Sequence, residues 1–376
     1  MGIENLIENV DSQIIKIRTK SLDVSFNELF DMYQNGELVI SPDYQRLFRW
    51  EEEKQSRFIE SLILEMPVPP IFVIETGEGI YELIDGLQRI SSYLHFRGER
   101  FTRNDIESEE DDNEDKENNH YLVLHGCDIV KDLNGLDFRN LPKALQIKIK
   151  RSFVRMEVIK KESETALKYH MFKRLNTGGE LLSAQEIRNC TIRLLGADGI
   201  NFIERCSQNS DFTNVISRIP SEKLNARYDQ ELVLRFFAIK NDLVHYRHPV
   251  TEYLTQYLEK ITTGEIAIDF EEEYRIFSST FKLINQLFGP DAFSGKNASG
   301  TYKNEFVLYF FDGIAVPIAT LIDSIDFSGD SVSIKRKIEE IKCSPELQPY
   351  KTGRAGSVRN RIALFTEGVQ EVLDHR

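Results

Sequence analysis

Apolar and polar positions follow two different rhythms, and the change between them divides the chain near its middle. Up to about residue 160, short runs of alternating or continuous apolar residues sit between stretches of helical period. "IIKIRTK" (14–20), "ELVIS" (37–41), "IFVIE" (71–75), "YELID" (81–85), "YLVLHG" (121–126) and "SFVRMEVIK" (152–160) read as strands. "TGEGI" joins the third and fourth of these as a hairpin. "SFNELFDMYQNG" (25–36) reads as a helix opened by a Ser25–Glu28 capping box and stopped by Gly36. "EEEKQSRFIESLILEM" (51–66) is a second, with Phe58, Ile59, Leu62 and Ile63 on one face and Pro67, Pro69 and Pro70 ending it. Further helices are predicted directly after Asp85-Gly86 and over "LPKALQIKIKR" (141–151). From about residue 162 the strand signal fades. "ESETALKYHMFKRLN" is helical, Ser183 with Glu186 caps the next helix, and segments 229–240, 251–262, 270–288, 303–324 and 357–374 carry helix-period apolar residues. The pattern predicts an α+β domain over residues 1–185 followed by an all-α domain over 186–376.

Composition narrows the class. The 376 residues are 41% hydrophobic and 29% charged, which suits a globular protein of two domains. Cys127, Cys190, Cys206 and Cys343 are scattered, which argues against a disulfide framework or zinc knuckle and for a reducing compartment. "MGIENLIENV" has no apolar core of a signal peptide, and Leu6 stands where myristoylation prefers a hydroxyl. No stretch reaches membrane-spanning length, so a cytoplasmic protein without membrane partners is expected.

The net charge of −14 is unevenly spread. "ESEEDDNEDKENN" (107–119) holds eight acids and one lysine and supplies half of it, as a solvated loop would. Basic residues cluster in "KIKRSFVR" (148–155), "KRK" (335–337) and "KTGRAGSVRNR" (351–361). Local contact with phosphates stays open, whereas nonspecific coating of DNA does not fit the overall sign.

Several chemistries are excluded. "GPDAFSGKN" (289–297) superficially resembles a P-loop, but five residues separate its glycines and Asn297 replaces the magnesium-binding hydroxyl. There is no GxSxG elbow, no HExxH and no cysteine–histidine metal spacing, so no protein-held metal site is expected. No His-Asn-His-like nuclease cluster is present.

Candidate chemistry gathers at "IDGLQRISSYLHF", where a strand meets a helix. Asp85 as a cap and Gln88 in a capping box would account for part of it. Arg89 lies about 200° around the helix from Leu87, off the Leu87–Ile90–Leu94 stripe, and is expected to matter little to the fold. A glycine-fed helix N-terminus beside an arginine suits an anion. Gln45-Arg46 in "PDYQRLFRW" and Asn176-Thr177 in "FKRLNTGGELLSAQEIRN" supply two more polar loops of similar chemistry.

Taken in order, "PDYQRLFRW", "FIESLILEMPVPPIFV", "IDGLQRISSYLHF" and "MFKRLNTGGELLSAQEIRN" resemble the N-terminal domain family of GmrSD-type restriction endonucleases, over roughly residues 10–195. The resemblance implies a ParB/sulfiredoxin-like fold and a role in nucleotide-dependent restriction of phage or modified DNA. It implies that Asp85, Gln88 and Arg89 serve catalysis, and that Gln45, Arg46, Gly86, Asn176 and Thr177 hold an NTP with Mg2+. Leu87 stands where the family usually has glutamine. If it faces the sheet, the change is one of packing; if it faces the nucleotide, hydrolysis suffers.

The leading expectation is therefore an NTP-binding and NTP-hydrolysing restriction component that works with a separate His-Asn-His nuclease and forms a possible homo-oligomer. The alternative is a non-catalytic, nucleotide-gated DNA-binding or regulatory module of ParB-like type. Direct DNA cleavage by the domain ranks last, because no compact acidic metal cluster supports it. Lys351, Arg354, Arg359 and Arg361 are the expected DNA contacts.

Overall fold

The computed structural model describes residues 7–8, 10–11, 18–41, 48–99, 121–163, 170–171, 174, 183–247, 249–297 and 299–375, with Cys190 by its backbone only. The sequence candidates Gln45, Arg46, Asn176 and Thr177 and the acidic run 107–119 lie outside the described residues. Two compact units divide the chain, Met1–Glu180 and Leu181–Arg376, five residues before the predicted boundary.

The first unit is α+β. Its strands are β1 (Thr19–Ser25), β2 (Leu38–Val39), β3 (Ile71–Gly77), β4 (Ile80–Asp85) and β5 (Phe153–Ile159). Its helices are α1 (Phe26–Gln34), α2 (Glu52–Ile63), α3 (Leu87–Phe96) and α4 (Lys143–Arg151). The strands form one sheet in the order β1-β5-β3-β4-β2. β1 runs antiparallel to β5 and β4 antiparallel to β3, whereas β5 and β3 are parallel, as are β2 and β4.

Burial alternates along β5: Val154, Met156 and Val158 are buried while Phe153 and Arg155 are exposed. One sheet face therefore belongs to the core, as in a two-layer α+β arrangement. The opposite face is polar, with Arg155 paired to Asp23 at 3.2 Å and Ser21 Oγ donating to Glu157 at 2.6 Å. Phe26 packs its ring 5.0 Å from Tyr93 and 6.0 Å from Phe58, joining α1, α3 and α2. Ser25 caps α1 by accepting from the Glu28 amide, and the hairpin turns at Glu78-Gly79, as predicted.

"YLVLHG" is not a strand. Leu122 and Leu124 are buried and Val123 is exposed, so its alternation is real. Its backbone bonds, however, go to the Leu136 carbonyl, the Gly135 amide and the His95 carbonyl rather than to a sheet edge.

The second unit is helical in its described residues: α5 (Ala184–Ile192), α6 (Asp198–Ser207), α7 (Ser210–Val215), α8 (Ser221–Asn225), α9 (Tyr228–Asp242), α10 (Val250–Thr262), α11 (Phe270–Phe288), α12 (Leu308–Leu321), α13 (Ser331–Cys343) and α14 (Ala355–Asp374). α5 carries the predicted Ser183–Glu186 capping box, and Arg188 sews it to Thr255 and Glu231. That explains why the boundary falls before this helix. α12 is apolar nearly all round and buried, and it serves as the central helix.

Asp312 on α12 accepts from Arg235 of α9 through both carboxylate oxygens, at 2.7 and 2.8 Å, and from Arg361 of α14 at 2.8 Å. All three side chains are buried. Arg361 also donates to the Tyr350 and Thr352 carbonyls. It is thus a core residue and is withdrawn from the predicted DNA surface. The physical signal was present, because Arg361 shares a helical face with Val358 and Phe365.

Candidate functional site

The junction between β4 and α3 is built around Gly86. β4 ends at Asp85, opposite Phe72 of β3, and Gly86 turns into the helix with φ 105° and ψ 10°. A Cβ at this position would lie 2.5 Å from Ile71 Cγ2. Positive φ and the close approach to Ile71 each disfavour any side chain. Gly86→Ala should therefore cost about 1–3 kcal/mol, read as a lowered denaturant midpoint with an unchanged slope.

Asp85 does not cap α3, which has no side-chain cap and no acid in its first turn. The positive end of that helix is therefore not neutralised by its own residues. The Asp85 carboxylate instead accepts from Arg89 Nη2 at 2.9 Å. Burial raises its pKa above the ordinary aspartate value, although the Arg89 charge and the Gly86 amide oppose this.

Arg89 does more for the fold than its place off the apolar stripe predicts. Its Nη1 donates to the carbonyls of Pro69 and Pro70 (3.1 Å to the latter), while Nη2 holds Asp85. One guanidinium thus clamps the proline turn that enters β3 to the end of β4. No periodic pattern encodes that contact.

Gln88 closes no capping box either. Its Oε1 accepts from the amides of Arg49 (2.9 Å) and Trp50 (3.0 Å). Trp50 in turn accepts from buried Gln55 at 2.8 Å, and Gln55 Oε1 lies 2.9 Å from His95 Nδ1 on α3. A chain of polar contacts therefore fastens the segment following Gln45-Arg46 to both ends of α3. Trp50, Gln55 and His95 were not singled out in the sequence, since each reads as ordinary helix or loop. A cleft of about 580 Å3 shares Trp50 with this arrangement and is also lined by Lys54, Arg57 and Ser61. Lys54 Nζ lies 5.1 Å from the Trp50 ring centroid.

Leu87 is buried together with Ile90 and Leu94. The position at which this chain departs from the Asp-Gly-Gln-Gln-Arg pattern belongs to the core. The polar members Asp85, Gln88 and Arg89 are each partly exposed.

Residues 26–193 match the family model of the GmrSD restriction endonuclease N-terminal domain. Over this segment the chain is similar to the GmrSD N-terminal domain family. The segment takes in four of the five strands of the sheet, β2 to β5, starts directly after β1, and runs on through α5 of the second unit. The match covers under half of the chain, so the GmrSD assignment concerns this segment and leaves most of the helical unit outside it. No curated protein and no solved structure matches the chain.

Among the described residues, no group of three acidic, histidine or cysteine side chains could hold a metal ion. Asp85 is the carboxylate nearest the uncapped helix end in sequence. No helix among the described residues is long and apolar enough to cross a membrane. Of the DNA candidates, Arg354 and Arg359 are exposed and Lys351 lies over the Tyr309 ring at 5.6 Å. Arg359 also donates to the Val244 carbonyl at 2.8 Å.

Proposed function

We propose that the first unit is a ParB/sulfiredoxin-like nucleotide-binding module of a restriction or anti-phage system. In this reading an NTP with its magnesium sits at the β4–α3 junction, and Arg46, Asn176 and Thr177, which lie outside the described residues, are further candidates to hold it. The observation that carries it is the Gln88 clamp, which ties the loop after one Gln-Arg pair to the helix end bearing the other. The uncapped α3 N-terminus and the Gly86 turn would receive phosphate oxygens, and Arg89 would add positive charge beside them. When bound, the nucleotide supplies the phosphoanhydride and its magnesium. Gln88 then acts as a positioning residue through the Arg49 and Trp50 amides, and Asp85 is the candidate for orienting water or the metal's ligands.

The family name supports DNA restriction as the setting, and the proposal adds a separate His-Asn-His nuclease as the cutting partner. The test is NTP turnover by the full chain across the four NTPs, with and without DNA. Turnover with at least one NTP is expected; absence of both turnover and binding for all four contradicts the reading.

Within that reading, DNA contact moves toward "KIKRSFVR". A groove of about 750 Å3 is lined there by Lys148, Arg151, Phe153 and Arg155, and the Phe153 side chain is 68% exposed beside these cations. An exposed ring among basic residues suits stacking on a base with phosphates alongside. Neutralising Lys148 and Arg151 together should flatten the log–log salt dependence of single-stranded DNA binding by about 1.4 units at ~0.7 per contact. An unchanged slope would return the DNA surface to Lys351, Arg354 and Arg359, or to the nuclease partner.

A further inference from the structure

The segment that fails as a P-loop lines a cavity of about 330 Å3 in the helical unit. Four lysines, Lys296, Lys303, Lys342 and Lys351, line it with two carboxylates, Glu305 and Glu339. Lys296 pairs with Glu339 at 3.2 Å and Lys303 lies 3.9 Å from Glu305. Neither Lys342 nor Lys351 has a carboxylate partner among the described residues.

Lys342 is the unusual member. It is 8% exposed, and its Nζ donates to the Ala292 carbonyl at 2.6 Å and the Ser294 carbonyl at 3.4 Å. The rings of Phe288, Phe310 and Tyr302 surround it at 5.1, 4.9 and 5.7 Å. The titratable and charged groups facing it are Glu339 and Cys343 on its own helix, Asp291 of the 289–291 turn, and Lys296 and Tyr302 of the following hairpin. Burial pulls its pKa down to about 7, and only part of that is offset by Glu339. A buried amine held by two carbonyls, with no carboxylate in direct contact, is costly to keep charged. A dianion entering the cavity would supply the missing countercharge.

We propose that this cavity binds a small phosphate-bearing molecule, at a site distinct from the β4–α3 junction, with Lys342 and Lys351 as its principal cations. A concave pocket of this size fits a free ligand rather than the backbone of a duplex.

The test is calorimetric titration of the full chain with pyrophosphate. Saturable binding is expected, weakened at least tenfold in Lys342→Met and several-fold in Lys351→Ala. Methionine suits the aromatic surroundings, and the partly exposed Lys351 provides a second variant should the first not fold. Arg89→Lys should bind pyrophosphate at this site as the wild type does, which separates failure here from failure of the junction reading. Sulfate, whose charge is constant between pH 6.5 and 8.5, should compete with pyrophosphate. Its Kd should rise about 25-fold over that range for an amine titrating near 7, and should stay flat in Lys342→Met. No saturable binding, equal affinity in Lys342→Met, or displacement of pyrophosphate by duplex DNA acting at these lysines would overturn the proposal.

Discussion

Asp312→Ala should destabilise the helical unit by about 3–5 kcal/mol, because it strands two buried guanidinium groups without their shared carboxylate. For a unit of this size that is a fall of roughly 10 °C in midpoint. The expectation rests on geometry. Arg235 makes a two-oxygen contact with Asp312, Arg361 shares one of those oxygens, and three helices meet at the carboxylate. Replacing all three by apolar residues of similar volume should cost far less than Asp312→Ala alone, since the desolvation of the charges disappears with them. Calorimetric unfolding of the single and triple variants reads both effects. A loss under 1 kcal/mol for Asp312→Ala would mean that the three side chains do not form the network in solution.

The second large effect combines two readouts. Arg89→Ala should lower the stability of the first unit by about 1–3 kcal/mol, through loss of the Pro69, Pro70 and Asp85 contacts. It should also abolish the stabilisation conferred by nucleotide, which grows as RT ln(1 + [L]/Kd). Unfolding measured with and without each NTP separates these parts. The first is present without ligand, and the second is the ligand-dependent shift. Arg89→Lys keeps the charge but cannot span three acceptors with a planar fork, so it should recover little of either. A mutant as stable as the wild type would show that the proline turn holds without this clamp.

Much of the architecture was legible because it depends on local signals. The Glu78-Gly79 turn, the Ser25 and Ser183 caps and the apolar stripe of α3 are each written within a few residues. Features set by distant partners were not. The run at 121–126 alternates like a strand, yet Leu124 exchanges backbone bonds with Gly135 and Leu136. α6, α7, α8 and α13 went unpredicted. α13 reads as a basic cluster until Ile334, Ile338 and Ile341 are seen to share its buried side. At the candidate site the sequence located the junction and the placement of Leu87 in the core. It did not reveal that Asp85 pairs with Arg89 instead of capping, or that Gln88 reaches back to Arg49 and Trp50, because both are choices among hydrogen-bond partners made after folding.

The proposed function stands or falls with nucleotide binding where β4 meets α3. It is tested most directly by equilibrium binding of each NTP, with magnesium, to the folded full chain and to Arg89→Lys, Arg46→Ala and Lys342→Met. Saturable binding of at least one NTP is expected, lost in Arg89→Lys and Arg46→Ala and kept at the junction in Lys342→Met. Folded wild-type protein that binds none of the four, or Arg89→Lys and Arg46→Ala variants that bind as the wild type does, would contradict it.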